Sequence, residues 1–275
     1  MAGVQLTDKQ VAEFVEFACH LGRIAGDVIL PHFRAPLDVA NKVAGTGFFD
    51  PVTIADRDAE QAIRDEIARV YPNHSIHGEE HGLKNGSDHF KWVLDPIDGT
   101  RAFILGLLHW GTLIALNDGE RPIVGVMNQP YTGEVFIGSR LGAVFKHAGQ
   151  SRPLRVRRCP NLEDAVVSAT DPGMFRQGPE REAFREIVKA TRLTRYGGDC
   201  YAYCMLASGL IDLVIESQNQ AYDLQALIPI VEGAGGVMTS WSGDSPQNGG
   251  QSVASGDPEL HEKVLKILGA GVPKR

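Results

Sequence analysis

Near residue 90 the hydrophobic pattern of the chain changes period, and that change constrains the fold more than any other feature. Before it, apolar residues recur every three or four positions. In "LTDKQVAEFVEFACHLGRIAGDVILPHF", Val11, Phe14, Val15, Ala18, Leu21, Ile24 and Ala25 share one helical face. Thr7 with Gln10 three residues later is a capping-box pattern, and Pro31 ends or kinks the helix. A second helix is expected over "RDAEQAIRDEIARVYP", with Ile63, Ile67 and Val70 inward and Pro72 closing it. Between the two, the glycine-rich "NKVAGTGFFDPVTIAD" reads as a loop or hairpin. It carries Asp50, and it puts Asp56 at or just before the second helix's start.

After residue 90 come short apolar runs separated by turn residues: "KWVLD", "GTLIALND", "PIVGVMNQ", "GEVFIGS" and the hairpin "LGAVFKHAGQ". From about residue 150 strands and helices alternate. "DAVVSAT", "IDLVIE" and "GVMTSWSG" read as strands. "PEREAFREIVKATR", "CYAYCMLASGL", "YDLQALIPIVEGAG" and "ELHEKVLKILGA" read as helices. The expectation is an α+β protein of layered helices and sheets, with subdomains over 1–149 and 150–275.

Charge narrows the partners. The 275 residues carry a net charge of -7, so a nucleic-acid footprint is not expected. The most basic stretch, "SRPLRVRRC", alternates like a solvated strand edge. No apolar run reaches the roughly 20 residues that span a membrane, and the first ten residues lack signal-peptide character. The reading is a cytoplasmic protein. Cys19, Cys159, Cys200 and Cys204 form no C-x-x-C pair and read as reduced packing thiols.

Acidic residues collect at the ends of elements. Asp56 precedes a helix, Glu79 and Glu80 lie in the turn "HGEEHG", and Asp223 opens a helix. Asp95 and Asp98 close the apolar strand in "WVLDPIDGT". Taken singly, each could be a cap or a turn residue. The last pair is different, because apolar runs flank it on both sides. Two unpaired carboxylates near the interior would cost several kcal/mol each, relieved by protonation or by cations. Arg101 could neutralise one, and divalent ions could neutralise several. An all-oxygen donor set selects magnesium or a similar hard ion. Pro96 keeps the Ile97 carbonyl out of a regular helix, and Gly99 lets the chain turn its amides towards a phosphate.

"WVLDPIDGT", with "GEE" at 78–80 and the aromatic–Asp pair Tyr222–Asp223, resembles the inositol monophosphatase superfamily over nearly the whole chain. That resemblance implies a layered αβαβα sandwich of the carbohydrate phosphatase type. It also implies a lithium-sensitive, magnesium-dependent phosphomonoesterase with two to three Mg2+ per site, assembled as a homodimer. It implies that Glu79, Asp95 and the Ile97 carbonyl hold one ion, and that Asp95, Asp98 and Asp223 hold a second. Glu79 would also serve a weaker third ion, with Glu80 standing behind the ligands. Asp56 and Thr100 would orient and deprotonate the attacking water, and the Gly99 and Thr100 amides would hold phosphate oxygens. Two-metal chemistry would activate that water and stabilise the leaving alkoxide. Most metal ligands fall in 1–149, while Asp223 and the substrate-reading residues fall in 150–275. Where the family often has Trp-Asp, this chain has Tyr222–Asp223, which keeps the ligand.

"DGTRAFILGLLHWGTLIAL", "RYGGDCYAYCMLASGLIDLVIES" and "YDLQALIPIVEGAGG" resemble the histidinol-phosphatase branch. The implied substrate is L-histidinol phosphate, a small phosphate monoester whose leaving group is a cationic amino alcohol. An acidic pocket is then expected, built from Asp199 and Glu216. Asp199 could equally cap the helix that follows it. Glu216 lies seven residues before Asp223, a spacing similar to a substrate-contacting position of the family. Inositol 1-phosphate, or a broader set of sugar and nucleotide phosphates, is the alternative within the superfamily. A zinc site on His74, His77 and His81 is a rival from spacing, opposed by Pro72 and Gly78. A magnesium-dependent phosphate-binding module without turnover is the non-enzymatic rival.

Overall fold

Thr7 caps the first helix as its sequence predicts: its side chain accepts from Gln10 N, and Gln10 returns the bond. A computed structural model describes residues 6–36, 39–41 and 51–272. In chain order the elements begin with α1 (Asp8–Ile29), β1 (Val39–Asn41), β2 (Pro51–Thr53) and α2 (Ile54–Val70). There follow β3 (Ser75–Gly78), β4 (Gly82–Lys84), β5 (Lys91–Asp98), α3 (Thr100–Ile104), β6 (Gly111–Asn117) and β7 (Pro122–Gln129). Next are β8 (Glu134–Ser139), β9 (Gly142–His147), β10 (Gln150–Pro153), β11 (Val166–Ala169), α4 (Pro179–Ala190) and β12 (Leu193–Tyr196). The chain ends with α5 (Asp199–Ala207), β13 (Leu213–Asn219), α6 (Ala221–Leu224), α7 (Leu227–Gly233), β14 (Val237–Thr239), β15 (Gly250–Ser255) and α8 (Pro258–Leu268).

The meander becomes an eight-stranded sheet, ordered β10-β9-β8-β7-β6-β5-β3-β4. It is antiparallel except where β3 runs parallel to β5. The alternating half becomes a five-stranded mixed sheet, ordered β12-β11-β13-β15-β14. Strand alternation then sets the layers. Trp92, Leu94, Ile114 and Val126 face α1 and α2. Val93, Leu113, Met127 and Phe136 face the other way, onto α5 and α7. Those helices also cover Val214 and Ala254 of the second sheet. Its outer face, Leu213, Ile215 and Val253, packs on α4 and α8. The result is a five-layer αβαβα sandwich.

Glycine allows the tightest contact between layers. A Cβ on Gly125 would lie 1.9 Å from the Ala226 carbonyl, and one on Gly138 would lie 2.2 Å from Ile230 N. The backbone of α7 therefore rests almost directly on the first sheet.

Several expectations need correction. The second helix starts at Ile54, three residues early, because the Thr53 side chain caps it with Asp56 at the third helical position. Ile63 and Ile67 are buried, but Val70 is 37% exposed because the last turn runs past the core. The expected helix over 222–235 is two, α6 and α7. Pro229 lacks an N–H and its ring excludes the carbonyl four residues earlier, so the helix must restart. Strands β3, β4, β12 and β15 had no expectation. "SRPLRVRRC" is an exposed edge strand only as far as Pro153. β1 and β2 pair as an antiparallel ladder, and Asp50 lies outside the described residues. The cysteines are free thiols, and among the described residues no helix is long and apolar enough to cross a membrane.

Candidate active site

Strand β5 builds the centre of the site at its C-terminal end. Asp95 pairs with Leu113 and Asp98 with Gly111, so Pro96 and Ile97 on β5 oppose Thr112 alone on β6. Such a bulge re-aims side chains, and Pro96, which has no N–H to offer the ladder, sits inside it. The Pro96 carbonyl accepts from Thr112 Oγ1 at 2.8 Å. Ile97 N donates to Asp95 Oδ1 at 3.1 Å, which fixes that carboxylate. Gly99 then turns the chain with φ +85°, and a Cβ there would meet the His109 carbonyl at 2.6 Å, so glycine is needed twice over. Thr100 opens α3 and donates its hydroxyl to the Ile97 carbonyl at 2.9 Å.

Three other segments converge on this strand end. Glu79 follows β3 and anchors its amide on the Leu94 carbonyl at 3.1 Å. Asp223 is the third residue of α6 and accepts from Gln220 N at 2.7 Å. Asp98 Oδ2 accepts from Cys200 N, in the first turn of α5, at 2.6 Å. One carboxylate oxygen from each of Asp95, Asp98 and Asp223 lies within 4.8 Å of the others. Asp95 is 2% exposed. Its pKa is pushed well up by burial, and further by the charges of Glu79, Asp98 and Asp223. Burial first, and Asp223 second, push Asp98 up to about 8. Like charges held this close out of water call for protonation or cations. The donors are all oxygen, a set that fits a hard divalent ion.

The cluster forms one side of a cavity of about 570 Å³. Seven carboxylates line it: Glu79, Asp95, Asp98, Asp171, Asp199, Glu216 and Asp223. Among the described lining residues Arg101 is the one cationic side chain. Ile97, Gly99 and Thr100 are also on the wall. Glu216 is clamped: Oε1 accepts from Thr170 Oγ1 at 2.6 Å and from Thr170 N at 3.2 Å, and Oε2 accepts from Tyr203 at 3.0 Å. Burial raises its pKa against those bonds. Burial, then Asp98 and Glu216, push Asp199 up to about 8, with Arg101 opposing.

Of the residues expected from sequence, Glu80, expected behind the ligands, lies off the cavity wall with its carboxylate 3.9 Å from Arg57 Nε, and Asp56 is off the wall as well. It is fully buried in α2, accepting from Thr53 N at 2.9 Å and Thr53 Oγ1 at 2.6 Å. Asp199 does not cap α5; Gly198 holds that position, and Asp199 adopts φ +43° as the first helical residue. Its side chain is thereby left to the cavity. The histidine trio does not converge. His74 is buried, stacked on Tyr71 at 4.6 Å and accepting from Trp92 Nε1 at 3.1 Å. The His77 ring lies against Tyr222, and His81 Nε2 bonds the Arg57 carbonyl at 3.1 Å. Among the described residues they form no metal-ligating group. Sequence reasoning missed Thr170, Asp171 and Tyr203. "TDPG" was a readable turn around Asp171, whereas nothing local marks Tyr203, which arrives by helix packing.

A sequence model of the inositol monophosphatase family matches residues 10–271. The chain is 38% identical to a protein named bifunctional phosphatase IMPL2, chloroplastic, from Arabidopsis thaliana, over 96% of this chain and 77% of that one. It is 30% identical to a histidinol-phosphatase from Chlorobaculum parvum, over 94% and 97% of the two. A solved inositol monophosphatase structure from Zymomonas mobilis superposes with a TM-score of 0.82 at 40% identity, covering 94% of this chain and 98% of that one. Fold, acidic cluster and similarity agree, and the chain belongs to the inositol monophosphatase family of metal-dependent phosphatases.

Proposed function

We infer that this phosphatase hydrolyses L-histidinol phosphate to L-histidinol and phosphate, with Mg2+ as its ion. The observation that carries the substrate is the surplus of acid. Asp199 and Glu216 share the cavity with the acidic cluster, and Glu216 is held rigid by Thr170 and Tyr203. A phosphate ester alone gains nothing from extra carboxylates. An ester whose leaving group carries an ammonium does. The similarity to histidinol-phosphatases supports the same reading.

Asp95, Asp98, Asp223, Glu79 and the Ile97 carbonyl would hold the divalent ions, which when bound supply charge for the phosphoryl oxygens and acidify a water. The Ile97 carbonyl keeps a lone pair for this beside its bond to Thr100. The Gly99 and Thr100 amides take phosphate oxygens at the turn that φ +85° creates. The Thr100 hydroxyl, already oriented by the Ile97 carbonyl, accepts from the attacking water. Asp56 in α2 is assigned as the final base: the Thr100 hydroxyl would turn from the Ile97 carbonyl to the Asp56 carboxylate, giving up its own proton there as it takes the water's. Asp199 and Glu216 bind the amine of the departing alcohol.

Phosphate release from histidinol phosphate, inositol 1-phosphate, fructose 1,6-bisphosphate and 3′-phosphoadenosine 5′-phosphate, with and without Mg2+, tests this. Histidinol phosphate should have the highest kcat/KM, and Glu216→Gln should lower it more than it lowers the value for an aryl phosphate. Equal losses would remove Glu216 from amine recognition. Preference for inositol 1-phosphate would favour the second reading, an inositol-1-monophosphatase, which the 40% identity to the Zymomonas mobilis structure supports. Magnesium-dependent binding without phosphate release would leave only a binding module.

A further inference from the structure

The wall between Asp171 and Met174 has two sides. On the far side of Gly173 from the catalytic cavity lies a second recess of about 330 Å³, and Gly173 lines both. Its charge is the reverse of its neighbour's. Arg181 and Arg185 line it, and no carboxylate does among the described residues. The two arginines are one turn apart on α4 and share a face. Arg181 is fixed in place: its Nε and Nη2 donate to the Phe175 carbonyl at 3.1 and 2.9 Å. A guanidinium has five N–H donors, so three remain. Arg185 is exposed, as is Tyr196 on the recess rim. Phe184 is buried beneath them.

Three nearby acids are turned to other partners, and the exposed Glu182, between the two arginines in sequence, is not on the recess wall. Glu180 accepts from Arg176 N at 3.2 Å, Glu186 pairs with Lys189 at 2.6 Å, and Asp171 accepts from Gly173 N at 2.6 Å. The setting gives a basic recess a task. The protein carries a net charge of -7, and seven carboxylates line the catalytic cavity. Without its ions that mouth repels a phosphate dianion, and with them bound the negative charge of the rest of the protein still opposes its approach, so positive charge beside the entrance would speed it.

We propose that the Arg181–Arg185 recess is an anion-binding station at the cavity mouth, which takes the phosphate group of the incoming ester. Fork-shaped guanidiniums suit phosphate oxygens, and Arg181 is preorganised by the Phe175 carbonyl, with Arg185 one turn away on the same face. The route through Gly173 to the catalytic cavity rests on the phosphatase reading; the binding of phosphate does not.

Two measurements separate those claims. The first is inorganic phosphate binding by titration calorimetry in EDTA, where the acidic cavity repels the anion. Wild type should bind, Arg185→Gln should bind about tenfold more weakly, and Arg185→Lys, which keeps the charge and loses the fork, should fall between the two. Absent binding by wild type, or equal binding by wild type and Arg185→Gln, overturns the proposal. The second is kcat/KM against ionic strength. Arg185→Gln should lower it about tenfold at low salt with kcat unchanged, and the gap should close as salt screens the field. Equal kcat/KM at low salt removes the station from the substrate's path. If wild type releases no phosphate from any ester, the phosphatase reading fails, and the calorimetry alone decides the recess.

Discussion

Two sets of buried acids occupy this molecule, and their surroundings differ in kind. The acids of the frame are matched with donors. Glu60 takes Arg64 Nε at 2.6 Å, Glu80 N at 2.7 Å and His81 N at 3.1 Å. Asp212 takes Arg157 through both oxygens, at 2.6 and 2.5 Å, and Val166 N at 2.7 Å. Asp257 takes Cys159 N at 3.0 Å and Glu259 N at 2.9 Å. In the acidic cluster, Asp95, Asp98 and Asp223 each take a backbone amide, but they face like charges: Asp95 faces Glu79, Asp98 and Asp223. The first set ties segments that are distant in sequence, such as β11 to the loop before β13. The second strains the fold until a cation arrives. Burial alone does not mark a site; burial among like charges does.

Exchanging one acid from each set should break the molecule in opposite ways. Asp95→Asn should lower kcat by on the order of 10³-fold or more, since divalent ions contribute several kcal/mol to the transition state. The same change should leave thermal unfolding in EDTA unchanged or shifted upward, because it removes a repulsive charge. Near-normal turnover by Asp95→Asn would sink the site assignment. Asp212→Asn should do the reverse. It breaks a bidentate pair and should cost about 2–3 kcal/mol, read as a lower denaturant midpoint, with kcat of the surviving protein unaltered. Arg157 is 44% exposed and can turn to water, which keeps the loss below that of a fully buried pair.

The same contrast explains what could be read from the chain alone. Asp95, Asp98, Gly99 and Thr100 lie within six residues, so local chemistry carries their meaning. Glu79 and Asp223 were legible as acids at turns and helix starts, but only the register of β3 on β5 and the restart at α6 bring them together. The α1 cap was legible because capping is local. The break between α6 and α7 was also in the chain, at Pro229, and hydrophobic periodicity hid it. Strands β12 and β15 were not legible: one is mostly exposed, and the other follows a run of turn residues. Tyr203 and Thr170 hold Glu216 from two other elements, a contact that exists only after the second sheet has formed.

Titration gives the subtler test. Asp98 and Asp199, both pushed up to about 8, hold more protons in the folded metal-free protein than in the unfolded chain between about pH 4 and 8. Stability therefore falls as pH rises through that window. In EDTA the melting temperature should decline from pH 5 to pH 8, and saturating Mg2+ should flatten the decline. A decline of equal slope with and without the ion would mean that Asp98 does not hold it.

The frame offers a counterpart of opposite sign. His261 in α8 is buried between Ser255 Oγ at 3.0 Å and Thr239 Oγ1 at 2.9 Å, and burial lowers its pKa to about 4. The unfolded chain binds this proton from about pH 6.5 downward, whereas the folded protein resists until about 4. Its contribution is complete above pH 6.5 and is lost as pH falls towards 4. Melting temperatures between pH 7 and pH 4.5 should fall less steeply in His261→Gln than in wild type, with Mg2+ present in both. This is the smallest effect expected, because one histidine carries it against every carboxylate that titrates in the same range. An unchanged slope would place the acid sensitivity of the C-terminal layer elsewhere. A flattened slope that persists when Mg2+ is withdrawn would show that the two sets of buried groups respond to pH independently, one through a proton it refuses and the other through a cation it lacks.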